Sequence, residues 1–199
     1  SKKFNFVDKP NSRKVHKVNV VNTSGIIISI FMIMITGISE FSKLLENIII
    51  FGFLMALIGF FDDRNEMNSS TKFFLMLFPV GYLVINGFAL TDLGNYKYIN
   101  VIELGKVSIP FTFLAVMLLI NAINYIDGTD GLLIGYAITS LLYFYYLSEK
   151  QEHYTYLILI FVYVLFISLI FNFLPIQSGL KSFVGDSGSL LISYFISFT

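Results

Sequence analysis

Four polar side chains follow a long apolar run in the segment Asn-Ala-Ile-Asn-Tyr-Ile-Asp-Gly-Thr-Asp-Gly-Leu, residues 121–132. Polar groups in such a place are costly, which indicates that they serve a function. Asn121, Asn124 and Asp127 are three residues apart, so a helix would hold them near one face. Asp130 follows between two glycines that would release the backbone from the helix. The four side chains therefore offer hard oxygen ligands for a small dication and hydrogen bonds for a polar substrate.

Two other segments place carboxylates beside apolar runs. Gly-Phe-Phe-Asp-Asp-Arg at 59–64 ends a run with Asp62 and Asp63, whose charges repel unless a cation lies nearby. Gly-Asp-Ser-Gly-Ser-Leu at 185–190 sets Asp186 in a glycine-rich turn, which can aim backbone N–H groups at a phosphate while the carboxylate holds a metal. Taken singly, the first is also compatible with a solvated helix end and the second with an ordinary loop. Three such clusters in one chain favour a shared site.

The composition is typical of an integral membrane protein. Of 199 residues, 56% are hydrophobic and 13% are charged, and the mean hydropathy is +0.77, which is far too apolar for a soluble domain. Thirteen basic residues balance thirteen acidic ones, so the chain has no basic excess of the kind that binds nucleic acid. The absence of cysteine excludes disulfides and thiolate metal sites.

Seven apolar runs divide the chain, and most are long enough, or nearly so, for a spanning helix of roughly 17–25 residues. We therefore predict an all-α fold, a polytopic membrane helix bundle with about seven transmembrane segments, and a small hairpin within 94–106. Residues 1–199 would form a single transmembrane catalytic domain, a piece of a longer protein that lacks the first span and the C-terminal spans. The runs are 20–39, 45–61, 72–90, 107–125, 132–147, 154–176 and 189 onward.

The basic residues of segment 1–17 predict its side of the membrane, because cytoplasmic loops are enriched in Lys and Arg. If the runs alternate in direction from a cytoplasmic start, all three carboxylate clusters reach the cytoplasmic face. We therefore expect a multi-pass protein of the inner (plasma) membrane with a cytoplasmic active site. Two other classes stay open. One is a cation-coupled membrane transporter, whose acids would lie at the midplane rather than at one mouth, and the other is an assembly scaffold with degenerate motifs.

The clusters also resemble a known family in their order and spacing. Segments 59–63, 121–132 and 183–189 are similar to the three signature motifs of the polyprenyl-phosphate N-acetylhexosamine-1-phosphate transferases, of the glycosyltransferase family 4 type, and segment 8–16 resembles that family's first cytoplasmic loop. The resemblance implies an enzyme that transfers a sugar-1-phosphate from a UDP-N-acetylhexosamine to a polyprenyl (undecaprenyl) phosphate and releases UMP. It also implies Mg²⁺ as cofactor, for which Mn²⁺ can substitute.

Within this family, the length of the chain between Asn172 and Gly185 favours the type of O-antigen and teichoic-acid synthesis. The alternative is a phospho-muramoyl-pentapeptide translocase type. The amino sugar and the oligomeric state, monomer or homodimer, stay open.

The resemblance implies roles for nine polar residues, position by position. It assigns catalysis to four carboxylates: Asp62, Asp63, Asp127 and Asp130. It assigns substrate binding to Lys14, His16, Asn121, Asn124 and Asp130. It assigns the metal to Asp186 and Asn124.

The sequence departs from the family's pattern at two points. The family's later cytoplasmic loop, rich in His and Arg, has no counterpart within residues 1–199. The family's usual Gly-Gly after the basic loop is Ser24-Gly25 here, which leaves open whether the backbone is closely approached at that point. A phosphate monoester with a second pKa of about 6 is mostly dianionic at neutral pH. We therefore expect direct attack by the lipid phosphate, with Asp62 and Asp63 orienting it, rather than a covalent enzyme intermediate.

The charge pattern predicts a topology that tags can test. A tag at Arg64, Thr129 or Ser187 should be protected in intact cells, because these residues lie on the cytoplasmic side in the predicted arrangement. A tag at Asn95 or Lys150 should be reachable from outside. The arrangement is wrong if the tags at Thr129 and Asn95 are found on the same side.

Overall fold

The protein is mostly α-helical, and its helices follow the apolar runs. The structure, a computed structural model, describes residues 7–8, 20–97, 100–148 and 152–198. Seven α-helices lie in this part of the chain, and each overlaps one of the predicted runs. They are α1 (Ser24–Thr36), α2 (Lys43–Asn65), α3 (Ser69–Leu83), α4 (Ser108–Ile126), α5 (Leu132–Leu147), α6 (Glu152–Phe173) and α7 (Gly185–Ser197).

Four stretches among the described residues are long and apolar enough to cross a membrane. They are Lys43–Asn65, Ser69–Phe88, Gly105–Ile126 and Tyr154–Phe173. The helices α1 and α5 are apolar but shorter, and α7 has 13 residues. A helix of that length extends about 20 Å, less than the hydrocarbon thickness of about 30 Å. The prediction of a helical membrane protein is thus confirmed, and seven spans stay a prediction.

Two small antiparallel sheets accompany the helices. β1 (Val7–Asp8) pairs with β2 (Val20–Val21), and β3 (Asp92–Tyr96) pairs with β4 (Asn100–Glu103). The second pair contains an irregularity between Asp92 and Asn95, and Gly94 has a positive φ of 95° there. The predicted hairpin is therefore present, and the fold is α-helical in its core but not in every loop.

Helix α7 is enclosed by the other helices. All of its residues from Ser187 to Ile196 are buried, and its main neighbours are α1, α2 and α4. A helix that is buried all round needs small residues on the faces where neighbouring backbones approach. Three serines and Gly188 supply them.

Two glycines allow α1 and α2 to reach the first turn of α7. A Cβ on Gly25 would lie 2.2 Å from the backbone nitrogen of Gly188, and a Cβ on Gly59 would lie 2.2 Å from the carbonyl oxygen of Asp186. Ser24, beside the first glycine, bonds through its hydroxyl to that of Ser182 at 2.7 Å. The backbones of α1 and α7 therefore do approach each other closely at Gly25. The single glycine of the Ser24-Gly25 pair is sufficient for this contact.

We expect Gly25→Ala and Gly59→Ala to lower the thermal stability of the purified protein in detergent. The added methyl group would meet backbone atoms that cannot rotate away, so each cost should reach or exceed the 1–3 kcal/mol that is roughly typical of overpacked cores. Gly135→Ala in α5 is a matched control, because a Cβ there meets no atom within 4 Å. It should leave stability unchanged or raise it slightly. Equal melting temperatures for all three variants would contradict the helix contact.

Candidate functional site

Asp63 caps the N-terminus of α7 from a different helix. Its Oδ1 accepts a hydrogen bond from the backbone N–H of Asp186 at 3.0 Å, and its Oδ2 accepts one from that of Ser187 at 3.1 Å. The first N–H groups of a helix have no partner within the helix, and the preceding residue, Val184, provides no side-chain cap. A carboxylate in this position also complements the positive end of the helix dipole.

Gly185 makes room for this cap. It has a φ of +64°, a conformation that residues with a Cβ rarely adopt. A Cβ there would lie 2.8 Å from Asp63 Oδ2. The glycine of the predicted turn is thus required by both its backbone angle and the nearby carboxylate.

Asp62, although adjacent to Asp63, has other partners. Its Oδ1 accepts from the backbone N–H of Met67 at 2.7 Å, and its Oδ2 lies 2.7 Å from Nζ of Lys72. The same ammonium group lies 3.3 Å from Oδ1 of Asp186. Lys72 is the cation that the pair of adjacent carboxylates requires, and it joins α2 to α7.

Lys72 was not among the predicted site residues, because in the sequence it only begins an apolar run. A lysine at a membrane boundary usually extends to the water, so its type and position gave no sign of a buried role. In the structure only 14% of its side chain is exposed.

Asn124 and Asp186, the two residues predicted at the metal, meet through Ser189. The buried Ser189 hydroxyl donates to Oδ1 of Asn124 and also lies 3.3 Å from the backbone oxygen of Asp186. The side-chain amide of Asn124, in α4, is thereby held against the first turn of α7. Ser189 was not predicted to have a role.

Asp127, the residue that follows α4, lies near Asp186. Burial, followed by the negative charge of Asp186, raises the pKa of Asp127 from 3.8 to about 7. No hydrogen bond from a described residue offsets this burial. The two carboxylates thus form a negative pair that a cation would stabilise.

Buried Asn172 joins the loop after α4 to the loop before α7. Its Oδ1 accepts from the backbone N–H of Gly131 at 2.6 Å, and its Nδ2 donates to the carbonyl of Ser182 at 3.2 Å. Beside it, the ammonium of Lys181 donates to Oδ2 of Asp130. These bonds fix the position of Asp130 and of the chain that enters α7.

The predicted site residues divide into three groups. The structure brings together Asp62, Asp63, Asn124, Asp127 and Asp186. Asp130 pairs with Lys181 and is exposed, whereas the amide of Asn121 donates to the carbonyl of Met117 in its own helix at 2.7 Å. Lys14 and His16 lie outside the described residues.

The donor set fits Mg²⁺ better than a metal enclosed by protein ligands. Among the described residues, no three His, Cys, Asp or Glu side chains are grouped to hold a metal ion. Mg²⁺ is usually held by one or two carboxylates, with water and substrate phosphates completing the coordination. The pair Asp127 and Asp186, with the first lacking a hydrogen-bond partner among the described residues, provides such a place.

The comparisons with known proteins agree with the resemblance in the motifs. A family model described as glycosyl transferase family 4 matches residues 45–199. The chain is 30% identical to a probable undecaprenyl-phosphate N-acetylglucosaminyl 1-phosphate transferase of Bacillus subtilis, over 98% of this chain and 54% of that protein. It is 29% identical to an undecaprenyl-phosphate alpha-N-acetylglucosaminyl 1-phosphate transferase of Yersinia pestis, over 96% of this chain and 54% of the relative.

A third relative is of the other type. The chain is 26% identical to a phospho-N-acetylmuramoyl-pentapeptide-transferase of Wolbachia pipientis, over 96% of this chain and 62% of that protein. The chain thus spans between half and two thirds of the length of these curated relatives.

The raised pKa of Asp127 predicts a pH-dependent stability. An unfolded aspartate releases its proton near pH 4, whereas Asp127 in the fold holds it to about pH 7. Stability is therefore lost as the pH rises from about 4 to about 7. In EDTA, Asp127→Asn should be more stable than the wild type at about pH 8, by at most about 4 kcal/mol, and equal at about pH 4.

Thermal unfolding of the purified protein in detergent measures this difference. Mg²⁺ should reduce it at the higher pH, because the cation stabilises the ionised pair in the wild type. A wild type that is the more stable protein at about pH 8 in EDTA would show that ionised Asp127 has a favourable partner.

Proposed function

This chain belongs to glycosyl transferase family 4, and we propose that it carries the catalytic site of an enzyme that transfers a sugar-1-phosphate from a UDP-N-acetylhexosamine to a membrane polyprenyl phosphate, with release of UMP. The observation that carries the proposal is the meeting of Asp62, Asp127, Asp186 and Lys72 at the capped N-terminus of α7. The names of the relatives from Bacillus subtilis and Yersinia pestis support undecaprenyl phosphate as the lipid and N-acetylglucosamine 1-phosphate as the transferred group.

This reaction joins two anionic partners, so charge neutralisation and positioning do most of the catalytic work. Lys72 supplies a positive charge at the site, where its ammonium group pairs with Asp62 and Asp186. Asp127 and Asp186 would hold Mg²⁺, or Mn²⁺ in its place, with the amide of Asn124 beside them. When bound, the dication neutralises charge on the reacting phosphates.

The partners of Asp62 and Asp63 favour direct transfer over a covalent intermediate. Both oxygens of Asp63 accept backbone N–H groups of α7, and both oxygens of Asp62 are bound by Met67 and Lys72. A nucleophilic carboxylate would have to give up these bonds. We therefore assign Asp63 to positioning α7, and Asp62 with Lys72 to orienting the lipid phosphate that attacks.

The remaining predicted residues enter the proposal through the family resemblance. Asp130, fixed by Lys181, would face the nucleotide. Asn121, Lys14 and His16 would bind the substrates, the last two at the diphosphate.

We further propose that all seven helices cross the membrane and that the site opens to the cytoplasm. The ends of α2 and α4 meet the start of α7, so the three motifs share one end of the bundle. This arrangement also argues against a transporter, whose acids would lie at the midplane. The basic residues of segment 1–17 support a cytoplasmic location for that end, as expected of an enzyme of the inner membrane whose site faces the cytoplasm.

The transfer proposal is tested by UMP release from detergent-solubilised full-length protein. UMP should form from UDP-N-acetylglucosamine when Mg²⁺ and undecaprenyl phosphate are both present, and removal of any one of the three should stop it. Asp186→Asn should abolish turnover with little effect on folding, because it removes a metal-binding charge but keeps the shape. Asp92→Asn in the exposed hairpin is the matched control and should stay active.

The same assay separates direct from covalent transfer. A burst of UMP without lipid, equal in amount to the enzyme, would show that a carboxylate attacks first. UMP release that is unaffected by Asp186→Asn would show that Asp186 does not bind the catalytic metal. Release of UDP instead of UMP would contradict the proposed reaction.

A further inference from the structure

The Lys72 ammonium group makes two ion pairs of unequal strength. Nζ lies 2.7 Å from Asp62 Oδ2 but 3.3 Å from Asp186 Oδ1. The Asp62 side chain is 11% exposed and its other oxygen accepts the Met67 N–H, whereas the Asp186 side chain is 36% exposed. The pair with Asp62 is therefore the firm one, and the pair with Asp186 is longer and closer to solvent.

A single ammonium group cannot balance the carboxylates around it. One positive charge shared between Asp62 and Asp186 leaves the pair of Asp186 and Asp127 only partly compensated. A dication at these two carboxylates would balance them. It would also stand close to Lys72 Nζ, and like charges at a few ångströms repel strongly in a partly buried site.

We propose that Lys72 is an exchangeable counterion of Asp186, which it leaves for Asp62 alone when a divalent cation binds. The inference rests on the proposed function, because it takes Asp186 as a metal-binding residue. Lys72 would then act on the metal as a competitor and would lower the affinity of the site for it. An ammonium group has three donors, so its release from Asp186 frees one for an anionic substrate group beside the metal.

Mn²⁺ binding to the purified full chain in detergent, measured by the EPR signal of the free ion, tests the exchange without turnover. Lys72→Met removes the competing charge at similar length and should bind Mn²⁺ about tenfold more tightly than the wild type. Asp62→Asn removes the firm partner, so Lys72 should stay on Asp186 and Mn²⁺ should bind more weakly. Equal or weaker binding by Lys72→Met overturns the inference, as does tighter binding by Asp62→Asn.

A second measurement uses the wild type and does not depend on variants that fold. The amine of Lys72, followed by mass spectrometry of its peptide, should react faster with an acylating reagent once Mg²⁺ is added. Unchanged reactivity overturns the exchange.

Mn²⁺ binding that is lost in Asp186→Asn but unchanged in Lys72→Met overturns this inference alone. An absence of Mn²⁺ binding by the wild type would also overturn the metal role in the proposed function.

Discussion

The first turn of α7 is held by a carboxylate from α2, and the geometry of the site depends on this bond. Asp63 accepts two backbone N–H groups that the helix itself cannot satisfy. Water cannot replace it easily, because Ser187 is fully buried, and each lost bond of this charged kind costs roughly 1.5–3 kcal/mol. The cap fixes α7 along its axis, so that Gly25 and Gly59 meet its backbone. It thereby also fixes Asp186 within reach of Lys72.

The charge balance of the site follows from this arrangement. Four aspartates lie around the start of α7, and the single positive charge of Lys72 is shared between Asp62 and Asp186. Backbone N–H groups stabilise a third, Asp63. The repulsion between Asp127 and Asp186 is therefore offset only in part by the protein alone. The site therefore carries an excess of negative charge, which a dication, alone or with a bound phosphate, can neutralise.

The sequence predicted the helices, and the approach of the three motifs to one another, better than it predicted the side-chain contacts of the site. Apolar runs give helices because backbone groups in lipid must bond within their own segment, and each of the seven described helices overlaps a predicted run. The common face of the three motifs followed from alternating crossings. Lys72, Ser189 and Asn172 could not be found this way, since their roles depend on which residues from distant segments approach them. Nothing in the local pattern marks a lysine that is paired across two helices.

The adjacent aspartates show why motif and contact differ. Neighbouring residues of a helix point about 100° apart, so they do not face a common partner. Asp62 accordingly faces α3 through Lys72, and Asp63 faces α7 through its backbone. The two aspartates, although adjacent in the sequence, therefore have separate roles. Asp62 positions the cation of Lys72, and Asp63 positions α7. Together they hold α3 and α7 at one end of α2, and they thereby set the position of Asp186.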